Sequence, residues 1–277
     1  MYDDSPEWRV MFNMLLAMYK NHPVRIDIAG TVESIAEIDD KLLYKCYNTF
    51  YNPSNMFICI AGNVNSEKVL SQINGAIKTN EPIEIERIGC DEPEAVSQSY
   101  VEQKLAVAQP LFCFGYKESV DKPERTVKEK IRTAILLEII AGDASPLYKK
   151  LINEGLINDE FSTEYFTGNG YSAVIFEGES SDPKRVAEEI KAEVCRLKVD
   201  GIDKKLFSAV RCGMYGEAVR AFNSVESIAT RLVDCAMSDS GLFDELKYLK
   251  TVTPEDVYKR LSLLDGDKTV LSVIEPE

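Results

Sequence analysis

Residues 160–179 read Glu160-Phe161-Ser162-Thr163-Glu164-Tyr165-Phe166-Thr167-Gly168-Asn169-Gly170-Tyr171-Ser172-Ala173-Val174-Ile175-Phe176-Glu177-Gly178-Glu179. Two runs rich in aromatic and β-branched residues, 160–166 and 171–179, flank Gly168-Asn169-Gly170, the chemistry of a tight turn between antiparallel strands. A Gly-rich loop can also cradle phosphate, but no helix and no Lys-Ser/Thr follow this one, so a hairpin is the reading. Outward from the hairpin, 100–107 and 111–116 read as strands, 124–141 as a long amphipathic helix ended by Gly142, and 146–154 as a short helix stopped by Gly155. Asp182-Pro183 starts a helix running through Leu197, further helices span 203–220 and 224–237, Pro254-Glu255-Asp256 opens another, and 269–274 is a terminal strand. Strands and helices come in separate runs rather than alternating βαβ units. The fold class is therefore α+β, an antiparallel sheet with helices packed on it.

The first third of the chain reads differently. Ser5-Pro6-Glu7 opens a helix with Trp8, Met11, Phe12, Leu15, Leu16 and Tyr19 on one stripe, and Asn21-His22-Pro23 stops it. A short apolar alternation at 24–28 and a turn at Gly30-Thr31 follow. Asp39-Asp40 cap a second amphipathic helix carrying Leu42, Leu43, Cys46, Tyr47 and Phe50, and Asn52-Pro53-Ser54-Asn55 closes it. Residues 56–61 read as a buried strand and 66–77 as a helix. Residues 78–99 change character, with Pro82, Gly89, Pro93 and alternating Glu and Ile, which suits a linker. The expected division is 1–78, a linker at 79–99, and a second domain at 100–277.

Composition narrows the function. Forty-six Asp and Glu against 32 Lys and Arg leave a net charge of −14, which repels phosphate backbones and anionic headgroups. Neither nucleic acid nor membrane is expected as a partner. The start of the chain has no basic, apolar leader, and the seven cysteines are scattered, odd in number and without a Cys-x-x-Cys pair. Reduced thiols in a cytoplasmic protein are the expectation. A single histidine, His22, cannot build a site needing two imidazoles. The acidic pairs Asp3-Asp4, Asp39-Asp40 and Glu188-Glu189 sit at helix starts or on exposed faces and are read as solvated or capping carboxylates.

The chain echoes itself. Asp39-Asp40-Lys41-Leu42-Leu43-Tyr44-Lys45, then helix, then strand 56–61, matches Glu255-Asp256-Val257-Tyr258-Lys259, then helix, then strand 269–274. Tyr44 and Tyr258 are 214 positions apart, so two copies do not fit in 277 residues. The expectation is a complete second copy and a first copy that has lost its front. Its strand 56–61 is then expected to pair with a second chain or to be covered by its own helices.

Asn21-His22-Pro23-Val24, the stretch 28–35, Tyr47-Asn48-Thr49-Phe50-Tyr51-Asn52-Pro53-Ser54-Asn55-Met56, and Ile58 to Val64 resemble the insulinase/pitrilysin family, zinc metallopeptidases of the inverzincin type, and within it the bacterial processing-peptidase-like branch. The resemblance spans essentially the whole chain and is closest over residues 1–75. It implies tandem homologous α+β domains, the second complete here and the first truncated. It implies a zinc site made by H-x-x-E-H and a distant Glu in the first copy, with a metal-bound water attacking a peptide carbonyl. None of these ligands is present, so no catalytic or metal residue and no cofactor is expected in this chain, zinc belonging to the intact family member. His22, in a helix stop, is read as structural.

The family's second copy often carries Leu-Arg-x-x-Gly-Leu-x-Tyr facing the substrate. Here Leu151-Ile152-Asn153-Glu154-Gly155-Leu156-Ile157-Asn158 puts Ile152 at the Arg position and Asn158 at the Tyr position. Asn158 is the one substrate-facing candidate left. The resemblance implies the C-terminal part of a zinc-dependent metalloendopeptidase-like protein, forming chamber wall and substrate-facing surface, inactive alone. The alternative is a non-catalytic interaction subunit paired with an active homologous peptidase. Expected partners are a peptide or unfolded-protein substrate, the missing N-terminal segment or a homologous subunit, and a second copy of the chain in a homo-oligomer.

Overall fold

The hairpin forms as read: Gly168 pairs with Tyr171 at its tip, and Gly170 takes the left-handed φ of +78° that the turn requires. A computed structural model describes residues 5–77, 81–86, 88–119 and 126–277. In chain order the described elements are α1 (Pro6–Met18), α2 (Val32–Ala36), α3 (Asp40–Phe50), α4 (Ser66–Ala76), β1 (Tyr100–Leu105) and β2 (Leu111–Lys117). Then come α5 (Val127–Ala141), α6 (Pro146–Asn153), β3 (Ser162–Gly168), β4 (Tyr171–Glu179), α7 (Pro183–Asp200) and α8 (Lys204–Arg220). The chain ends with α9 (Val225–Ser238), α10 (Asp244–Thr251), α11 (Pro254–Leu261) and β5 (Thr269–Pro276). Four helices start with a capping side chain followed by proline: Ser5-Pro6, Ser145-Pro146, Asp182-Pro183 and Thr253-Pro254. Each cap side chain accepts a backbone N–H of the first turn, a contribution of about 1 kcal/mol.

The five strands lie in the order β1-β5-β2-β4-β3. The α+β arrangement of helices on a mainly antiparallel sheet is present: three pairings are antiparallel, and β1 pairs with β5 in parallel. The last strand inserts between β1 and β2, which run in opposite directions. It can be antiparallel to only one of them. Both faces of the sheet are covered, so β2, β4 and β5 read as near-continuous apolar runs rather than alternating ones. On one face Val10, Met14, Leu15 and Met18 of α1 pack over Cys113, Ile175, Val270 and Ile274. Helices α5 and α7 pack against the strands elsewhere, and α11 packs on them in turn.

Gly115, in the middle of β2, lets α1 approach. A Cβ there would stand 2.7 Å from Met18 Cε and 3.0 Å from Met14 Sδ. Both are ends of flexible side chains that can yield. Gly115→Ala is expected to lower stability by about 1–2 kcal/mol in guanidinium titrations followed by the fluorescence of Trp8 on α1, the sole tryptophan.

The chain divides into two compact units, one of Met1–Ala29, Gly89–Met214 and Tyr248–Glu277, the other of Gly30–Ile88 and Tyr215–Lys247. The division read along the sequence, 1–78, 79–99 and 100–277, thus describes chain order rather than packing, because α1 belongs with the sheet. In the second unit, residues 56–61 form no strand among the described residues, and Met56, Phe57, Ile58 and Ile60 are 54, 60, 57 and 47% exposed. The reason is the lack of a neighbouring strand: a lone extended segment has nothing to pair with, and α3 and α4 leave it uncovered. The alternation at 24–28 is likewise no strand. It opens as a 3-10 turn at Pro23–Arg25, capped by His22. Helices α2 and α10 are additions to the sequence reading, each too short to show a clear apolar stripe.

Two buried ion pairs tie the sheet-bearing unit together. Lys117, at the end of β2, donates to Glu92 Oε1 (2.6 Å), Pro93 O (2.7 Å) and Ala95 O (3.0 Å). Glu92 in turn accepts the backbone N–H groups of Lys20, Asn21 and His22 at 2.9, 2.7 and 2.8 Å. The latter part of the linker is thereby fastened to the end of α1. The second pair is Arg260 on α11 with Glu118, 2.5 Å apart. Arg260 Nε donates to Thr133 on α5 (2.7 Å), its guanidinium lies over the Tyr165 ring, and Glu118 accepts the Ser172 hydroxyl (2.7 Å).

Candidate functional site

His22 is held by both ring nitrogens. Nδ1 accepts the Val24 N–H (3.0 Å), so the proton sits on Nε2, which donates to the Asn169 carbonyl (3.0 Å) at the hairpin tip. Tyr171 meets the ring edge-on at 5.2 Å between centroids. The ring therefore has no lone pair left for a metal. Among the described residues no group of three or more His, Cys, Asp and Glu side chains is placed to hold a metal ion. The described residues do not fit a zinc ion.

Asn158 has a defined place. Gly155, at a left-handed φ of +66°, ends the run from α6, Leu156 is buried, and Ile157 bridges to Ser180. Asn158 Nδ2 then donates to Glu179 Oε2 (2.8 Å) while its Oδ1 accepts the Glu160 N–H (3.0 Å). It lines a cleft of about 620 Å³ whose walls come from α1, the start of β2, the loop before β3 and the end of β4. Ile152 is exposed on α6 and is not part of this cleft.

The cleft is anionic: Glu7, Asp159, Glu160, Glu177 and Glu179 all contribute to its lining. Ser162 and Cys113 stand opposite Glu177 in the two neighbouring strands. The serine hydroxyl and the cysteine thiol donate to the two Glu177 oxygens, at 3.2 and 3.4 Å. Burial, then the charges of Glu177 and Glu164, push the Cys113 thiol well up, so it remains a thiol and not a nucleophile at neutral pH. Burial and then Glu177 raise the Glu164 carboxyl. The cleft can attract cationic groups and accept hydrogen bonds.

Asp39 caps α3 through Leu42 N–H (2.8 Å), and Glu189 pairs with Lys150 (2.6 Å), while Asp3 and Asp4 lie outside the described residues. Glu177 and Glu179, two positions apart, fall on one face of β4. No helix among the described residues is long and apolar enough to cross a membrane.

Residues 37–213 match the sequence profile of the peptidase M16 inactive domain, more than half of the chain. The chain belongs to this M16 family. It is 38% identical over 263 residues to the uncharacterized zinc protease YmfH of Bacillus subtilis, covering 93% of this chain and 61% of that protein. An M16-like peptidase from Alicyclobacillus acidocaldarius superposes with a TM-score of 0.92 at 30% identity, covering 100% of this chain and 67% of the other. The peptidase M16 inactive domain from Pseudomonas fluorescens shares the fold, with a TM-score of 0.81 at 15% identity over 100% of this chain and 66% of the other. The M16 chain thus spans about three-fifths of the length of YmfH, and with one histidine it carries no H-x-x-E-H.

Proposed function

We propose that this M16 chain is the non-catalytic part of a zinc-dependent metalloendopeptidase. It forms the wall and substrate-facing surface of a chamber, Asn158 and its anionic cleft included. An H-x-x-E-H-bearing M16 segment, on the same polypeptide or a second one, supplies the zinc site. The observation that supports this reading is the surface around residues 56–61. In the internal echo, helix 39–50 and segment 56–61 correspond to α11 and β5, and β5 is paired on both sides, by β1 and β2. Segment 56–61 has neither neighbour among the described residues and presents apolar side chains to solvent, and α3 of the same unit carries an apolar hollow of about 430 Å³ at Leu43, Tyr44 and Tyr47. An extended apolar segment with unpaired edges suits strands from another segment.

The test uses the purified chain, Zn²⁺ and a quenched fluorescent peptide. Alone, the chain is expected to hydrolyse nothing. With an H-x-x-E-H-bearing M16 segment from the same genome it is expected to co-elute on size exclusion and to give chelator-sensitive hydrolysis, with Ile58→Asp weakening the association at least tenfold. Zinc-dependent hydrolysis by the chain alone, or no association with such a segment, overturns the proposal. The departures at Ile152 and Asn158 favour a second reading, an interaction subunit that never touches substrate. In that case Asn158→Ala leaves the KM of the assembled peptidase unchanged.

A further inference from the structure

The internal echo holds residue by residue. With the offset of 214 that separates Tyr44 from Tyr258, the helix cap Asp39 falls on the helix cap Thr253, α3 falls on α11, and 56–60 fall on Val270 to Ile274 of β5. Val257 and Leu261 of α11, and Leu264 just after it, are buried, whereas their counterparts Leu43, Tyr47 and Phe50 are at least half exposed. Every residue from Val270 to Ile274 is buried, on both faces of the strand, and the counterparts Met56, Phe57, Ile58, Cys59 and Ile60 are all apolar. The first copy thus has the side chains of a central strand and of a docked helix, without their neighbours among the described residues. One buried position differs in charge. Arg260, which pairs with Glu118 and donates to Thr133, has Cys46 as its counterpart.

We propose that segment 56–60 is received between two strands of opposite direction, one parallel and one antiparallel to it, while an apolar helix packs along α3 over Leu43 and Tyr47. This is the geometry of the second copy, where Leu271 to Ile274 pair with β1 in parallel and with β2 antiparallel, and α11 packs on α5. The occupant is the H-x-x-E-H-bearing M16 segment of the proposed function, on which this inference rests. Its chemistry follows from Cys46. At the place that Glu118 holds in the second copy it carries a neutral residue, because a carboxylate buried against a thiol would have no cation. A second copy of this chain does not fit: its slot between β1 and β2 is filled by its own β5, and its α5 by its own α11.

The test reads hydrogen exchange amide by amide on the full chain, alone and with an H-x-x-E-H-bearing M16 segment from the same genome. A strand paired on both edges holds every amide, and a strand paired on one edge holds only alternate ones. On association the amides of Phe57, Ile58, Cys59 and Ile60 are all expected to slow by about a hundredfold or more, without alternation. Cys46 is exposed in the free chain, so Cys46→Arg is expected to leave the exchange of the free chain unchanged. It is expected to weaken the association by roughly tenfold or more, because the cation is buried without a carboxylate. Association with alternate or absent protection at 57–60, or unchanged or tighter binding by Cys46→Arg, overturns this inference and leaves the proposed function standing. Alternate protection that grows with the concentration of the chain alone points to a second copy and also overturns it. No association with the segment overturns the proposed function itself.

Discussion

Replacing Lys117 with methionine is expected to destabilise the sheet-bearing unit by about 3–5 kcal/mol, since it leaves Glu92 buried without its cation. Both side chains are almost fully excluded from solvent, 0 and 1% exposed. Burial alone would raise the Glu92 carboxyl, but Lys117 and the three backbone N–H groups of residues 20–22 outweigh it and hold the pKa at about 2, against an ordinary 4.5. Between those two values the unfolded chain binds a proton that the folded chain does not. The stabilisation is therefore fully present above about pH 4.5 and is lost as pH falls towards 2. A shift from 4.5 to about 2 corresponds to roughly 3 kcal/mol. Guanidinium titrations at pH 7, 5 and 3 on the wild type, Lys117→Met and Glu92→Gln check both claims. The wild type should lose stability steeply between pH 5 and 3 and the variant much less. Equal slopes would show that other carboxylates carry the acid sensitivity. Glu94, held low by Lys268 and Ser119, works in the same direction but is more exposed and contributes less.

Arg260→Met is expected to cost a similar amount, about 3–5 kcal/mol, by stranding Glu118. The guanidinium also joins α11 to α5 through Thr133 and covers Tyr165, so part of the loss is packing. A double-mutant cycle with Glu118→Gln separates the two contributions. If the ion pair dominates, Arg260→Met/Glu118→Gln should recover most of the stability lost in the single variant. If packing dominates, the double variant should be no more stable than Arg260→Met. Unfolding followed at Trp8 reports this directly, because its indole donates to Asp27 (2.7 Å) within the same unit.

Features decided by neighbours in sequence could be read before any coordinates. The Ser-Pro, Asp-Pro and Thr-Pro helix starts are of this kind, because a capping hydroxyl or carboxylate reaches only two or three residues ahead. The turn at Gly168-Asn169-Gly170 is another. Features decided by distant partners could not. The stripe on α1 says that something covers it, but nothing local says that Cys113, Ile175 and Val270 do. The parallel pairing of β1 with β5 joins Tyr100 to Leu271, beyond the reach of any pattern. Segment 56–61 shows the converse: its strand-like sequence is plain, yet a sequence pattern cannot supply the neighbour that would make it a strand. The cleft at Asn158 draws its carboxylates from α1, the loop before β3 and β4. Only the position of Asn158 was legible, and that through resemblance.

The place of β5 has a consequence for how the molecule comes into being. It comes last in sequence of the five described strands, yet it lies between β1 and β2, so at synthesis those two strands emerge with a gap where their shared neighbour belongs. The sheet closes only after β5 is free of the exit tunnel, and the nascent chain must keep β1 and β2 from pairing with each other until then. A truncation before Thr269 would remove the strand that joins β1 to β2. It would leave unpaired the edges of β1 and β2 that β5 joins.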